Sequence, residues 1–168
     1  MHLSEEDAKL YNKFTVSTSD IWFARYCATV ILKKDWHSQP WERRGTIYQQ
    51  QAAFTSALIT AYARPFIHSR GWPKLPPDLI ARSCREEALH KRLIKLRHTV
   101  FAHSDSISYS IRPVRIGNFT SNISNSPVLR ITAEETVLFL AMSNKILESI
   151  NIRIGILLET YFRPDPGT

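Results

Sequence analysis

In the run Leu96-Arg97-His98-Thr99-Val100-Phe101-Ala102-His103-Ser104-Asp105, an arginine able to hold a phosphate stands six positions before a histidine able to move a proton. A guanidinium offers a rigid fork of donors to phosphate oxygens, and an imidazole titrates near neutrality. Arg97 and His103 are therefore the residue types that a phosphodiester-cleaving centre needs. The same types also end an ordinary helix, where cations complement the dipole and polar groups cap free carbonyls. Spacing does not choose between the two, because Arg85 to His90, Arg92 to His98 and Arg97 to His103 all fit an Arg-then-His pattern.

Position around the helix is more discriminating. Leu89, Leu93, Leu96 and Val100 recur at intervals of four, three and four, which defines one packing seam. On an unbroken helix Arg97 falls roughly 70° to one side of that seam and His103 roughly 50° to the other, so both border whatever the seam packs against. They diverge by about 120°, which is awkward for one shared phosphate. A two-fold partner on the same seam, or a bulge near Thr99, are two ways round this. His98 points away from the seam, so its role depends on local distortion.

Other chemistries lack their residues. The five glycines are scattered, leaving no phosphate loop or dinucleotide fingerprint. His90, His98 and His103 are not three or four apart, there is no HExxH, and no metal or other cofactor is expected. Glu86 and Glu87 beside His90 read as a solvated helix face. Cys27 and Cys84 lie far apart in helical segments and read as core thiols rather than a disulfide or CxxC site.

The elements that must hold the Arg-His run follow from periodicity. Ser4 with Glu5, Glu6 and Asp7 starts a helix whose apolar positions Leu10, Phe14, Ile21, Ala24, Ala28 and Ile31 continue to Lys33-Lys34, as one kinked helix or two. Pro40 opens a second, carrying Ile47, Phe54, Leu58 and Ala61 until Arg64-Pro65. A stiff link, Ser69 to Pro77, leads to a third helix starting at Asp78 or a neighbour. Alternation in Ser106–Ile111 and the run Val128–Ile131 predict a β-hairpin with a mobile Gly117–Ser126 connection. Thr132-Ala133-Glu134-Glu135 is a capping box launching a last helix with Val137, Leu140, Leu147, Ile154 and Tyr161 on its broad face, ended by Arg163-Pro164.

At 168 residues, with 43% hydrophobic residues, the chain is expected to form a single domain over 1–168 with a real core. The expected fold class is mainly all-α, an antiparallel four-helix bundle with a small β-hairpin inserted before the last helix. No apolar run is long enough to span a bilayer and the N-terminus has no signal-like core, so a soluble, cytoplasmic protein with no membrane partner is expected. The net charge of +7, with Arg82, Arg85, Lys91, Arg92, Lys95 and Arg97 in one interval, favours polyanionic partners.

The run at 96–105, closing the third helix of such a bundle, resembles the HEPN domains, whose signature is an Arg, a polar neighbour, an apolar run and a His. His98 is the polar neighbour and Val100-Phe101-Ala102 the apolar run. The segments Tyr62-Ala63-Arg64-Pro65-Phe66 and Ser69-Arg70-Gly71 are also similar to stretches in bacterial HEPN-like proteins. The resemblance implies a metal-independent endoribonuclease, a toxin or phage-defence component, active as a homodimer that pools two motifs in one cleft. It implies that Arg97 polarises the scissile phosphate, that His103 is general base or acid, and that His98 orients the pair. Arg64, Arg70, Lys95 and Arg92 would then contact RNA, and the products would carry a 2′,3′-cyclic phosphate. The alternative within the same resemblance is a catalytically silent module that binds nucleic acid or a protein such as a nucleotidyltransferase antitoxin, with Tyr11 or Tyr109 as modification sites.

Overall fold

The computed structural model describes residues 3–39, 41–42, 45–79, 83–101, 110–125 and 130–162. Helix α1 (Glu5–Lys33) is one helix rather than two, and its first turn is closed by Ser4, whose Oγ accepts from the Asp7 N–H at 3.1 Å. Helix α2 (Thr46–Ala63) begins only after Gly45, whose φ of 79° marks the break, so Pro40 does not open it. Arg64-Pro65 ends α2 as expected, through a 3-10 turn at Arg64–Phe66.

Asp78 starts no α-helix; it sits in a 3-10 turn, Pro77–Leu79. Helix α3 (Cys84–Leu96) starts at a capping box in which Ser83 and Glu86 satisfy each other's backbone N–H groups. Ser83 rather than Asp78 is the cap, because it stands three positions before Glu86 and can exchange bonds with it. Helix α4 (Ala133–Phe162) opens on the capping box expected at Thr132, with the Glu135 N–H donating to Thr132 Oγ1 at 3.1 Å.

α1 packs on α2 and α4, and α3 on both α2 and α4, which closes a four-helix ring. α1 and α4 run antiparallel: Tyr161 hydrogen-bonds Asp7 at one end, and Arg25 donates to the Leu140 carbonyl at 2.6 Å further along. The core of α1 is Phe14, Ile21, Ala24, Ala28 and Ile31, as its periodicity predicts. On α4 the core is Phe139, Met142, Ile146, Leu147 and Ile150, whereas Val137 is exposed. The inward face of α4 is thus rotated from the one read in the sequence, because α4 meets α1 and α3 on two sides at once.

The hairpin precedes α4, but its strands lie elsewhere than predicted: β1 (Ser110–Ile116) pairs antiparallel with β2 (Phe119–Asn125). The Gly117–Ser126 segment is therefore mostly the second strand rather than a mobile connection. Gly117, at φ 60°, occupies the first central position of a two-residue turn, where a type II′ turn needs glycine. Arg130 and Ile131 are outside any strand, and Ile131 is buried. Ser106–Tyr109 and Val128–Leu129 lie outside the described residues, as do Arg163 and Pro164. No helix among the described residues is long and apolar enough to cross a membrane.

Candidate functional site

The chain after Leu96 does not continue as an α-helix. Arg97–Phe101 forms a π-helix, the bulge anticipated near Thr99. Its sequence explains the widening: Thr99 and Val100 are adjacent β-branched residues, and Thr99 Oγ1 donates to the Lys95 carbonyl at 3.0 Å, a back-bond that bends helices. A π turn holds one residue more than an α turn, so it shifts the phase of a helix continued through it by about 100°. His103 itself lies outside the described residues.

Arg97 is half-buried, and its Nη1 donates to Nδ1 of the exposed His98 at 3.4 Å. Accepting at Nδ1 leaves the neutral imidazole's proton on Nε2, facing away from the guanidinium. Among the described residues Arg97 has no ion-pair partner, so its charge is available to an anion. The π segment packs on α2.

Behind this end of α3 the bundle holds a buried polar pair. Tyr62 Oη and His90 Nδ1 are 2.8 Å apart, edge-on to one another and ringed by Phe66 and Phe139. Burial pushes the Tyr62 phenol up and is the main cause holding the His90 imidazole below its ordinary value. The phenol O–H is thus the donor and neutral His90 the acceptor. One turn earlier, Glu86 is buried at 2% exposure and receives Lys145 Nζ of α4 at 2.6 Å. That bond, joined by those from Ser83, outweighs burial and brings the carboxyl down to about 2. The reading of Glu86, Glu87 and His90 as a solvated face therefore fails for Glu86 and His90, since α3 is flanked by both α2 and α4 and buries more than its leucine stripe.

The other cations are dispersed. Arg64 is ion-paired with Asp20 of α1 at 2.6 Å. Arg92 is ion-paired with Glu135 and also donates to the Arg130 carbonyl at 3.4 Å. Lys95 and Arg70 are exposed, and neither has an ion-pair partner among the described residues. Because Tyr62 meets His90 while the π segment lies back along α2, α2 and α3 are antiparallel. Arg64 and Arg97 are then about 13 Å apart along the bundle, nine residues at the helical rise. Arg70 lies in the turn bridged by Ser69 and Trp72. Of the residues singled out in the sequence, the contact the fold shows is between Arg97 and His98, while Arg64 and Arg92 are engaged with Asp20 and Glu135.

Cys84 is exposed, not a core thiol, whereas Cys27 is buried as expected. No group of three or more metal-ligating side chains occurs among the described residues. No family model, curated protein or solved structure matches the chain.

Proposed function

We propose that the chain is a metal-independent endoribonuclease of the HEPN type, acting as a homodimer in a toxin or phage-defence setting. The observation that carries this reading is the contact between Arg97 and His98 on the π-widened end of α3, beside free Lys95. Single-turn π-bulges are frequent at functional sites. An unpaired guanidinium with an orienting imidazole supplies the phosphate-holding half of the chemistry. On an ideal helix Arg97 and His103 diverge, so pooling the motifs of two subunits is an arrangement that gives both groups to one phosphate.

In this reading Arg97 neutralises the non-bridging oxygens of the scissile phosphate as negative charge grows there. His103 takes the proton of the ribose 2′-hydroxyl, the 2′-oxygen bonds to phosphorus, and the bond to the 5′-oxygen breaks. The imidazolium so formed gives a proton to the departing oxygen, leaving a 5′-hydroxyl and a 2′,3′-cyclic phosphate. The nucleophile is already part of the substrate, so proximity supplies much of the rate. Incubating purified protein with total cellular RNA in excess EDTA tests this. Wild type is expected to cut and leave cyclic phosphates, while Arg97→Ala and His103→Ala lose at least a hundredfold in rate with folding intact. Cleavage that survives both substitutions would overturn the assignment.

One observation favours the second reading, a catalytically silent HEPN module that binds nucleic acid or a protein such as a nucleotidyltransferase antitoxin. The hairpin stands away from the bundle: among the described residues neither strand packs on any helix. Stable binding without cleavage in the same assay is the outcome this reading expects.

A further inference from the structure

A two-stranded hairpin is marginal in water unless it packs on something, yet β1–β2 packs on no helix among the described residues. It leaves Ile111, Ile116 and Phe119 at 68%, 69% and 80% exposure, with Arg112 and Arg115 also exposed. Phe119 stands at the tip, paired with Ile116 across the Gly117-Asn118 turn. Between Asp105 and Glu134 the sequence contains no acidic residue, while Arg112, Arg115 and Arg130 fall inside that interval. The arm is therefore uniformly cationic, with an aromatic ring at its end.

These features choose among occupants. The pair Ile116 and Phe119 closes a two-residue turn and is hydrogen-bonded, so Pro113, three positions back, sits at a non-hydrogen-bonded site opposite Asn122. Its missing N–H therefore faces the outer edge of β1, which blunts that edge against an added protein strand. An arginine on each face suits a polyanion that runs past the arm, since Arg112 and Arg115 alternate around the strand. A double-stranded RNA offers a deep, narrow major groove that such an arm cannot read, whereas a single strand offers unstacked bases to an exposed ring. Exposed Asn118, Thr120, Ser121 and Asn122 add donors and acceptors for base edges and ribose hydroxyls.

We propose that the β1–β2 hairpin is an arm for single-stranded RNA, with Phe119 stacking a base and Arg112 and Arg115 holding phosphates on either side. This rests on RNA being the chain's ligand in the reading above, but not on cleavage. The arm would present the strand to the bundle, and the exposed cations at the end of α3 would hold the segment to be cut.

The test is binding of the full chain to a fluorescent 2′-O-methyl single-stranded oligonucleotide, which has no free 2′-hydroxyl and cannot be cut by internal attack. Wild type is compared with Arg112→Ala/Arg115→Ala and with Phe119→Ala across a salt series. The double variant is expected to flatten the slope of log affinity against log salt by about 1.4, two phosphates' worth for a single strand. Phe119→Ala is expected to lose about tenfold in affinity at fixed salt. Because the arm packs on no helix among the described residues, the variants should keep the wild-type helical circular dichroism and melting temperature. Unchanged affinity and slope in both variants, no binding by wild type, or a preference for duplex over single strand would each overturn the proposal. Cleavage is read separately on unmodified RNA. Binding through the arm without cleavage sinks the nuclease reading alone; cleavage with arm variants that bind like wild type sinks the arm alone.

Discussion

The buried charge on Glu86 ties part of this protein's acid stability to its bond with Lys145. A carboxyl held near 2 in the fold but ordinary when unfolded stabilises above about pH 4.5, and that stabilisation is lost as pH falls from there towards 2. Its full size is on the order of 3 kcal/mol, less what solvent at half-exposed Lys145 screens away. His90 acts earlier and with the same sign. Its folded-state value is depressed, so protonation favours the unfolded chain and stability declines as pH drops below about 6.5. Urea unfolding from pH 8 to pH 3 should therefore show two declining stages. Glu86→Gln should flatten the lower one while costing about 2–3 kcal/mol at pH 7, because it strips a buried partner from Lys145. A lower stage identical to wild type in that variant would contradict the pairing. None of this was legible in the sequence, where Glu86, Glu87 and His90 look like an ordinary i,i+4 surface set; the positions of α2 and α4 show which of the three face inward.

Element boundaries follow capping chemistry more faithfully than they follow proline. Pro40 and Asp78 look like helix starts, but Gly45 and Ser83 hold those positions, with Ser83 making the reciprocal bonds that Asp78 does not. Thr132 was readable because its glutamate stands three positions on and an apolar run follows. Glu135 also pairs with Arg92, so this box ties the start of α4 to α3. Thr132→Ala should lower stability by about 1 kcal/mol, measured by denaturant titration, and Glu135→Ala by more, since it removes both the cap and the cross-helix partner. The hairpin was foreseen as an element but misplaced along the chain. Alternation at Ser106–Ile111 outweighed the Gly-Asn turn signal, although a two-residue turn fixes register more tightly than strand composition does. The π-helix was foreseen only as one way to reconcile two diverging side chains, since nothing in composition marks it except the adjacent Thr99 and Val100.

On the scale of the whole molecule, the bundle reads easily from four apolar periodicities, and the fold that positions Arg97 and His98 follows from them. What resists reading is the relation between distant cations. Arg64 and Arg97 resemble parts of one site in the sequence, yet they stand well apart along antiparallel helices, and Arg64 is ion-paired with Asp20. The pairing of α1 with α4 has a consequence for how the chain reaches this state. Asp7 meets Tyr161 across 154 positions and Arg25 meets Ser143 across 118. Such contacts form late, because the loop between them must close before they contribute. During synthesis, the core face of α1 can pack on α2 but stays incompletely covered until the last helix emerges. A chain ending at residue 125 should accordingly keep helical circular dichroism, bind a hydrophobic dye strongly, and melt without a sharp transition. A ribosome-stalled series would show protease resistance appearing only once residues beyond about 150 have cleared the exit tunnel, making α4 the step that commits the newborn chain to its fold.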